Sequence, residues 1–294
     1  VIVLAVHSLA SDSFVCDTEA SIRSGFFRFC QESIRFTHAY TSSTMAVPAL
    51  SSVLTGLYPR ESTVRDNGSY PLPIKIKTIA EKAAYQGWNT AFFTGGPPVF
   101  SKSGLGQGFL YQFEEIPTDG QKLYTTAKDL VGHFLNWQRR VDDDRPFFAV
   151  LYFPDLQFVD TPTRTELDEI RPNSYQSQLQ AVDEALGGLV NQLELRGLWE
   201  SSYVFLLGLN GNTAAWRSAE LAGTNLFSDN TQVVLMVKPP KKTKDVQRNR
   251  TVDDYVSLVD VGTTIEQLLT SQISKPSAAE VLPRFRSEER RVGK

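Results

Sequence analysis

Few side chains in this sequence could take part in chemistry. His7 closes the first apolar run, VIVLAVH, and Asn210 follows a later one, YVFLLGLN. An imidazole and a carboxamide at two strand ends could hold a divalent cation if Asp66 or Asp155 joined them. The hydroxyls of Ser42, Ser43 and Thr44 precede a helix start marked by Pro48, where a nucleophile would meet free N–H groups. Arg65-Asp66-Asn67-Gly68 could contact an anion, and the same Asp-Asn-Gly run favours a tight turn. Each group has a plainer reading. Thr44 lies two positions before the helix start, so loop hydroxyls are the expectation there, and a lone histidine at a strand end is usually a satisfied core residue. Only three histidines occur in 294 residues (His7, His38 and His133), which leaves little imidazole for a metal centre.

The elements that must position these groups alternate between strand and helix. Continuous apolar runs at Val1–Val6, Thr90–Phe93, Phe147–Tyr152, Tyr203–Leu207 and Gln232–Val237 read as strands buried on both faces. Tyr175–Arg196 places Leu179, Val182, Leu186, Leu189 and Leu193 on one helical face, with Gly197 as the stop. Lys122–Arg140 behaves similarly through Leu123, Leu130, Phe134 and Trp137, and Val256, Val259, Thr263 and Leu268 mark a last helix. This alternation predicts an α/β sandwich whose sites gather at the carboxyl ends of the strands. Hydrophobic residues at 41% and charged residues at 21% suit one large domain with a sizeable core. A net charge of −3 gives no sign of a nucleic-acid or membrane-surface partner. The Lys- and Arg-bearing stretch Pro239–Arg250 reads as a solvated loop. No run approaches the roughly 18 apolar residues of a membrane helix. Two cysteines, Cys16 and Cys30, cannot build a disulfide framework and allow one bridge if the protein is exported.

From Phe36 to Gly68 the sequence reads FTHAYTSSTMAVPALSSVLTGLYPRESTVRDNG. This segment resembles the nucleophile region of the sulfatase family, which runs FxxAY, a nucleophile two residues before a Pro, SLLTGLYP and HGVRDNG. Phe36, Ala39-Tyr40, Pro48, Leu54–Pro59 and Val64–Gly68 match. Further matches follow in order: Thr78–Glu81 with Gly87-Trp88 (TLAE…GY), Gly104–Phe109 (GLDQGF), Arg145–Phe148 (KPFF), Ala181-Val182-Asp183 to Gly197-Leu198 (YVD…RGL) and Val256–Asp260 (VSLVD). The resemblance implies an alkaline-phosphatase/sulfatase-like three-layer sandwich, with a mostly parallel central sheet and helices on both faces. Family members cleave sulfate or phosphate esters with a Cys-derived, Ser or Thr nucleophile at a helix start and one or two divalent cations such as calcium.

By register, the residues that do this chemistry are replaced. The nucleophile falls on Ala46, and the basic residue four positions on is Leu50. The first-strand metal Asp is His7, followed by Ser8, and the late Asp-His-Gly becomes Leu209-Asn210-Gly211. Family histidines fall at Ser62, Asp155 and Ala222. Arg65 and Asn67 are retained and could keep an anion contact. The resemblance therefore implies a sulfatase-like domain lacking nucleophile and metal ligands, a pseudoenzyme with a binding or scaffolding role. No cofactor is expected, and the expected partner is an intact sulfatase-like domain rather than nucleic acid. The alternative is an active metal-dependent sulfatase or phosphoester hydrolase with relocated ligands. Well-kept helix periodicity argues against a decayed gene. Export to the periplasm, a membrane anchor or secretion is what the family implies, and a signal or anchor could precede Val1. Residues 1–285 are expected to form one sulfatase-like domain, truncated at its N-terminus and lacking a C-terminal subdomain. Cys16 resembles a structural cysteine of the family. Residues 286–294, RSEERRVGK, resemble the in-frame translation of a sequencing adapter and are set apart from the fold; without them the net charge of −3 becomes −5.

Overall fold

The first apolar run forms β1 (Ile2–Val6), buried at every residue. Its side chains divide between two cores: Val1, Val3 and Ala5 join one, and Ile2, Leu4 and Val6 the other. A strand apolar in both phases of its two-residue period needs cover on both faces, and the rest of the chain supplies it. The computed structural model describes residues 1–14, 16, 24–115, 123–141, 145–157, 162–164, 170–172, 175–212, 226–243 and 248–271. Within these the order after β1 is α1 (Gly25–Glu32), β2 (Ile34–Tyr40), α2 (Ala46–Thr55), α3 (Pro59–Ser62), α4 (Ile79–Tyr85), β3 (Asn89–Thr94) and β4 (Tyr111–Glu114). Then come α5 (Ala127–Gln138), β5 (Phe147–Phe153), a short hairpin of β6 (Pro162–Arg164) and β7 (Ile170–Pro172), and α6 (Tyr175–Leu195). The chain continues through β8 (Val204–Gly208), α7 (Ser228–Thr231), β9 (Leu235–Lys238), β10 (Arg250–Ser257) and α8 (Leu258–Ser271).

Eight strands form one sheet in the order β10-β2-β9-β8-β1-β5-β3-β4. All neighbours are parallel except β9, which runs antiparallel to both β2 and β8. Helices α2, α4 and α8 cover one face, and α1, α5 and α6 cover the other. This is the three-layer α/β sandwich expected from the alternation of elements.

The motifs that carried the resemblance turn out to satisfy backbone groups. Thr78 and Glu81 form a reciprocal capping box at the start of α4. Asp183 on α6 accepts hydrogen bonds from the Phe26 N–H (2.7 Å) and the Ser24 hydroxyl (2.9 Å), joining α6 to the start of α1. Asp260 accepts from the Ser257 N–H at 2.8 Å at the start of α8. Gly108, at φ +85, lies so close to the Glu81 backbone that a Cβ would collide with it. Gly56, at φ +68, ends α2 against Thr263 of α8.

Some boundaries differ from the sequence reading. Val256 lies on β10, not on the last helix, because the strand runs through Ser257 before the helix starts at Leu258. Leu123 is exposed and precedes α5, whose N-cap is Thr126, so the helical periodicity extends past the true start. Gln232 and Val233 make only isolated bridges ahead of β9. Arg250, read as loop, begins β10. The short edge strand β4 escaped the apolar-run criterion because three of its four residues are exposed.

Cys16 and Cys30 are joined in a disulfide, with Cα atoms 5.6 Å apart. It ties the segment after β1 to α1, where Phe14 also stacks on Phe26. Closing a loop with a separation of 14 residues removes unfolded-state entropy. Cys30→Ser is therefore expected to lower unfolding free energy by about 3 kcal/mol, and dithiothreitol should do the same to the wild-type protein in denaturant titrations.

Candidate functional site

The parallel strands end at one pole, and there α2 begins. Ala46 is the first helical residue, preceded by Met45, which offers no side-chain cap. The Val47 N–H donates to the Asn67 side-chain oxygen at 3.1 Å. Pro48 has no N–H to give. Of the first three helical positions, only Ala46 therefore keeps an N–H not engaged by Asn67 or removed by proline, and Ala46 is 0% exposed. A helix start that attracts an anion presents several free N–H groups to a cavity. This one is packed. Ala46, Leu50 and Leu209 all belong to the same buried apolar cluster. The Leu209 carbonyl accepts from the Thr41 hydroxyl at 2.6 Å, which fastens the strand β8 exit to the loop before α2. Thr44 sits in that loop, outside the helix. Ser42 spends its hydroxyl on Ser52, at 2.8 Å.

Across the pole, Ser8 and Asn210 bind each other. The Ser8 N–H donates to the Asn210 oxygen at 3.2 Å, and the Asn210 amide donates back to the Ser8 hydroxyl at 3.1 Å. The Tyr175 hydroxyl donates to the Ser8 carbonyl at 2.7 Å, holding Ser8 at φ +52. His7 Nδ1 lies 2.9 Å from the Tyr152 hydroxyl, which also reaches the Pro97 carbonyl. Burial pulls the His7 pKa down to about 4, so the ring is neutral at pH 7, and burial raises that of Tyr152. Asp155 is 1% exposed, and one of its oxygens accepts from the Ala127 N–H at 3.0 Å. Burial is the main cause of its pKa rising to about 7.

A hard divalent cation wants six or more oxygens, several of them carboxylate. His7, Ser8, Leu209 and Asn210 offer an imidazole, a hydroxyl, an aliphatic group and an amide, with both polar atoms of Asn210 engaged. They do not fit the ion. No group of three or more His, Cys, Asp or Glu suited to a metal occurs among the described residues. His7 and Asn210 are not brought together with Asp66, which instead accepts from the Gly68 and Ser69 N–H groups in a turn at the surface. Those two backbone bonds hold the Asp66 carboxyl below its usual range.

A family model described as Sulfatase matches residues 1–271. The chain belongs to the sulfatase family. Solved structures that share the fold include a phosphonate monoester hydrolase of Agrobacterium radiobacter, with a TM-score of 0.69 and 17% identity over 92% of this chain and 73% of that one. A Bacteroides thetaiotaomicron protein of glycosaminoglycan metabolism superposes with a TM-score of 0.69 and 17% identity, over 100% of this chain and 78% of that one. A lipoteichoic acid synthase from Listeria monocytogenes gives 0.69 and 15%, over 92% and 71% respectively. No curated protein sequence matches the chain.

Against the family's HGVRDNG motif, Ser62 is fully buried and Thr63 holds φ +64, the conformation that the motif's glycine adopts freely. Arg65 and Asn67 are both exposed, and Asn67 also accepts from the Val47 N–H at the α2 start. Ala222 and residues 286–294 lie outside the described residues. Sequence reasoning missed Tyr152, Tyr175 and Thr41, whose hydroxyls meet His7, the Ser8 carbonyl and the Leu209 carbonyl. The signal for Tyr152 was a single hydroxyl in the otherwise apolar run FFAVLYF. Two measurements check this account. Asn67→Ala should destabilise the fold by about 1 kcal/mol in denaturant titrations, because it uncaps the Val47 N–H. Thr63→Gly should raise stability by roughly 1 kcal/mol by relieving the left-handed backbone.

Proposed function

We propose that this sulfatase-family domain is a pseudoenzyme, kept as a folded unit for binding or scaffolding. The observation that carries the reading is the presence of Ala46, Leu50, His7, Ser8, Leu209 and Asn210 at the family's catalytic registers, with the apolar three packed together, Ser8 paired with Asn210, and His7 paired with Tyr152. The surrounding motif residues Thr78, Glu81, Gly108, Asp183 and Asp260 remain, and each serves the backbone. Loss of the nucleophile alone can cost about 10⁶-fold in rate. Losing the metal carboxylates as well leaves no group to polarise the ester or stabilise the departing oxygen. No cofactor is assigned to the domain. Its proposed partner is an intact sulfatase-like domain, and the Cys16–Cys30 bridge supports export to an oxidising compartment.

The purified protein is expected to leave aryl sulfate and aryl phosphate esters uncleaved, with or without added calcium, and to carry no stoichiometric divalent ion by elemental analysis. Ala46→Ser should be equally inactive, since a hydroxyl alone restores neither metal nor open site. Hydrolysis that a chelator abolishes would refute the proposal and point to relocated ligands.

A further inference from the structure

The core under α1, α5 and α6 does not extend to the outer strands of the sheet. It stops beside β9 with Val234 and Met236, and no described residue of β2 or β10 belongs to it. Ala39 and Val256, partners in register, face the other core, so strand alternation turns His38, Tyr40 and Tyr255 onto this uncovered side. There the three rings form one pile. His38 and Tyr255 stack with centroids 4.7 Å and planes 24° apart, and Tyr40 lies 5.9 Å from Tyr255 with planes 9° apart. Tyr255 nevertheless keeps 62% of its surface open. Tyrosine rings left open beside polar groups are common anchors of protein interfaces.

The pile is held in place, and negative charge adjoins it. The His38 Nδ1–H donates to the Asp253 carbonyl at 3.0 Å, and the Thr37 hydroxyl donates to the Asp253 carboxylate at 2.7 Å. Asp253 and Asp254 directly precede Tyr255, where the register of β10 on β2 shifts. Among the described residues neither carboxylate has an ion-pair partner. Fixed rings with nearly parallel planes beside unpaired carboxylates suit a flat cation. A guanidinium can lie on a tyrosine face as the next layer and turn its N–H groups toward a carboxylate, a geometry that a lysine ammonium cannot match.

We infer that this face of β2 and β10 is a docking surface for an arginine-bearing segment of a partner protein. The guanidinium stacks on the Tyr255 pile and is held by Asp253 and Asp254. Because the rings are already ordered in the free protein, little freedom is lost when the segment arrives. The surface lies on the opposite side of the sheet from α2, so the inference goes beyond the reading of the pole and does not depend on it.

The test is an NMR titration of the full chain, at low salt, with a short peptide of alternating arginine and glycine. A second titration uses the same peptide with neutral citrulline in place of arginine. The chain has only His7, His38 and His133 to give imidazole signals, and His38→Gln identifies the one at the surface. The arginine peptide should shift the His38 signal saturably and leave His7 and His133 unmoved. It should bind about fivefold or more tightly than the citrulline peptide, and Tyr255→Ala should weaken it by a similar factor, as expected for an exposed cation–π contact. Asp254→Asn should weaken it in the same direction. No saturable shift at His38, equal affinity for the two peptides, or unchanged binding in Tyr255→Ala overturns the proposal. The contrast between the two peptides is read on the wild-type protein, so it decides even if a variant fails to fold.

Discussion

The first N–H groups of a helix need partners outside the helix, and at α2, whose first residue Ala46 is buried, this requirement shapes the pole. In an esterase of this architecture, the substrate's own oxygens could meet those groups. Here a proline removes one donor and Asn67 takes another, so the start of α2 is settled by residues of the chain itself. Once that place is filled, an apolar residue at position 46 is no liability. It becomes part of the core that also receives Leu50 and Leu209. The same substitution of internal for external partners recurs at the ends of β1 and β8, where Ser8 and Asn210 exchange two hydrogen bonds.

The division between what changed and what stayed follows a physical line. Asp183, Glu81 and Asp260 look like acids that might do chemistry, but each carboxylate is occupied by the backbone of a helix start. Removing any of them would unpair N–H groups in a crowded place, whether or not the protein turns over a substrate. On the proposed reading, the positions at the family's catalytic registers carry no such duty. They are free to drift toward whatever packs well, and at Ala46, Leu50 and Leu209 they have done so.

Much of this fold was legible because buried parallel strands and amphipathic helices write strong patterns, as in Val1–Val6 and the face Leu179–Leu193. The edge strand β4 and the polar strand β10 left no such pattern, since neither is buried on both sides. At the pole, register said nothing of which side chains would pair with His7 and Ser8. Tyr152 and Tyr175 reach His7 and Ser8 across 145 and 167 residues of sequence, and only the closed sheet brings such distant groups together. The cap from Asn67 to Val47 is equally silent in sequence, because Asp66-Asn67-Gly68 reads as a turn and the turn does form.

The union of Ala46, Leu50 and Leu209 in one dry cluster has a consequence for the history of the molecule. Restoring a carboxylate at position 209 alone would drive a charge into hydrocarbon with no ion to meet it, at a cost of several kcal/mol, a large share of what holds an ordinary domain together. Restoring the hydroxyl at position 46 alone would gain nothing to select. On the proposed reading, every single step toward turnover is harmful or useless, and only simultaneous changes could reach it.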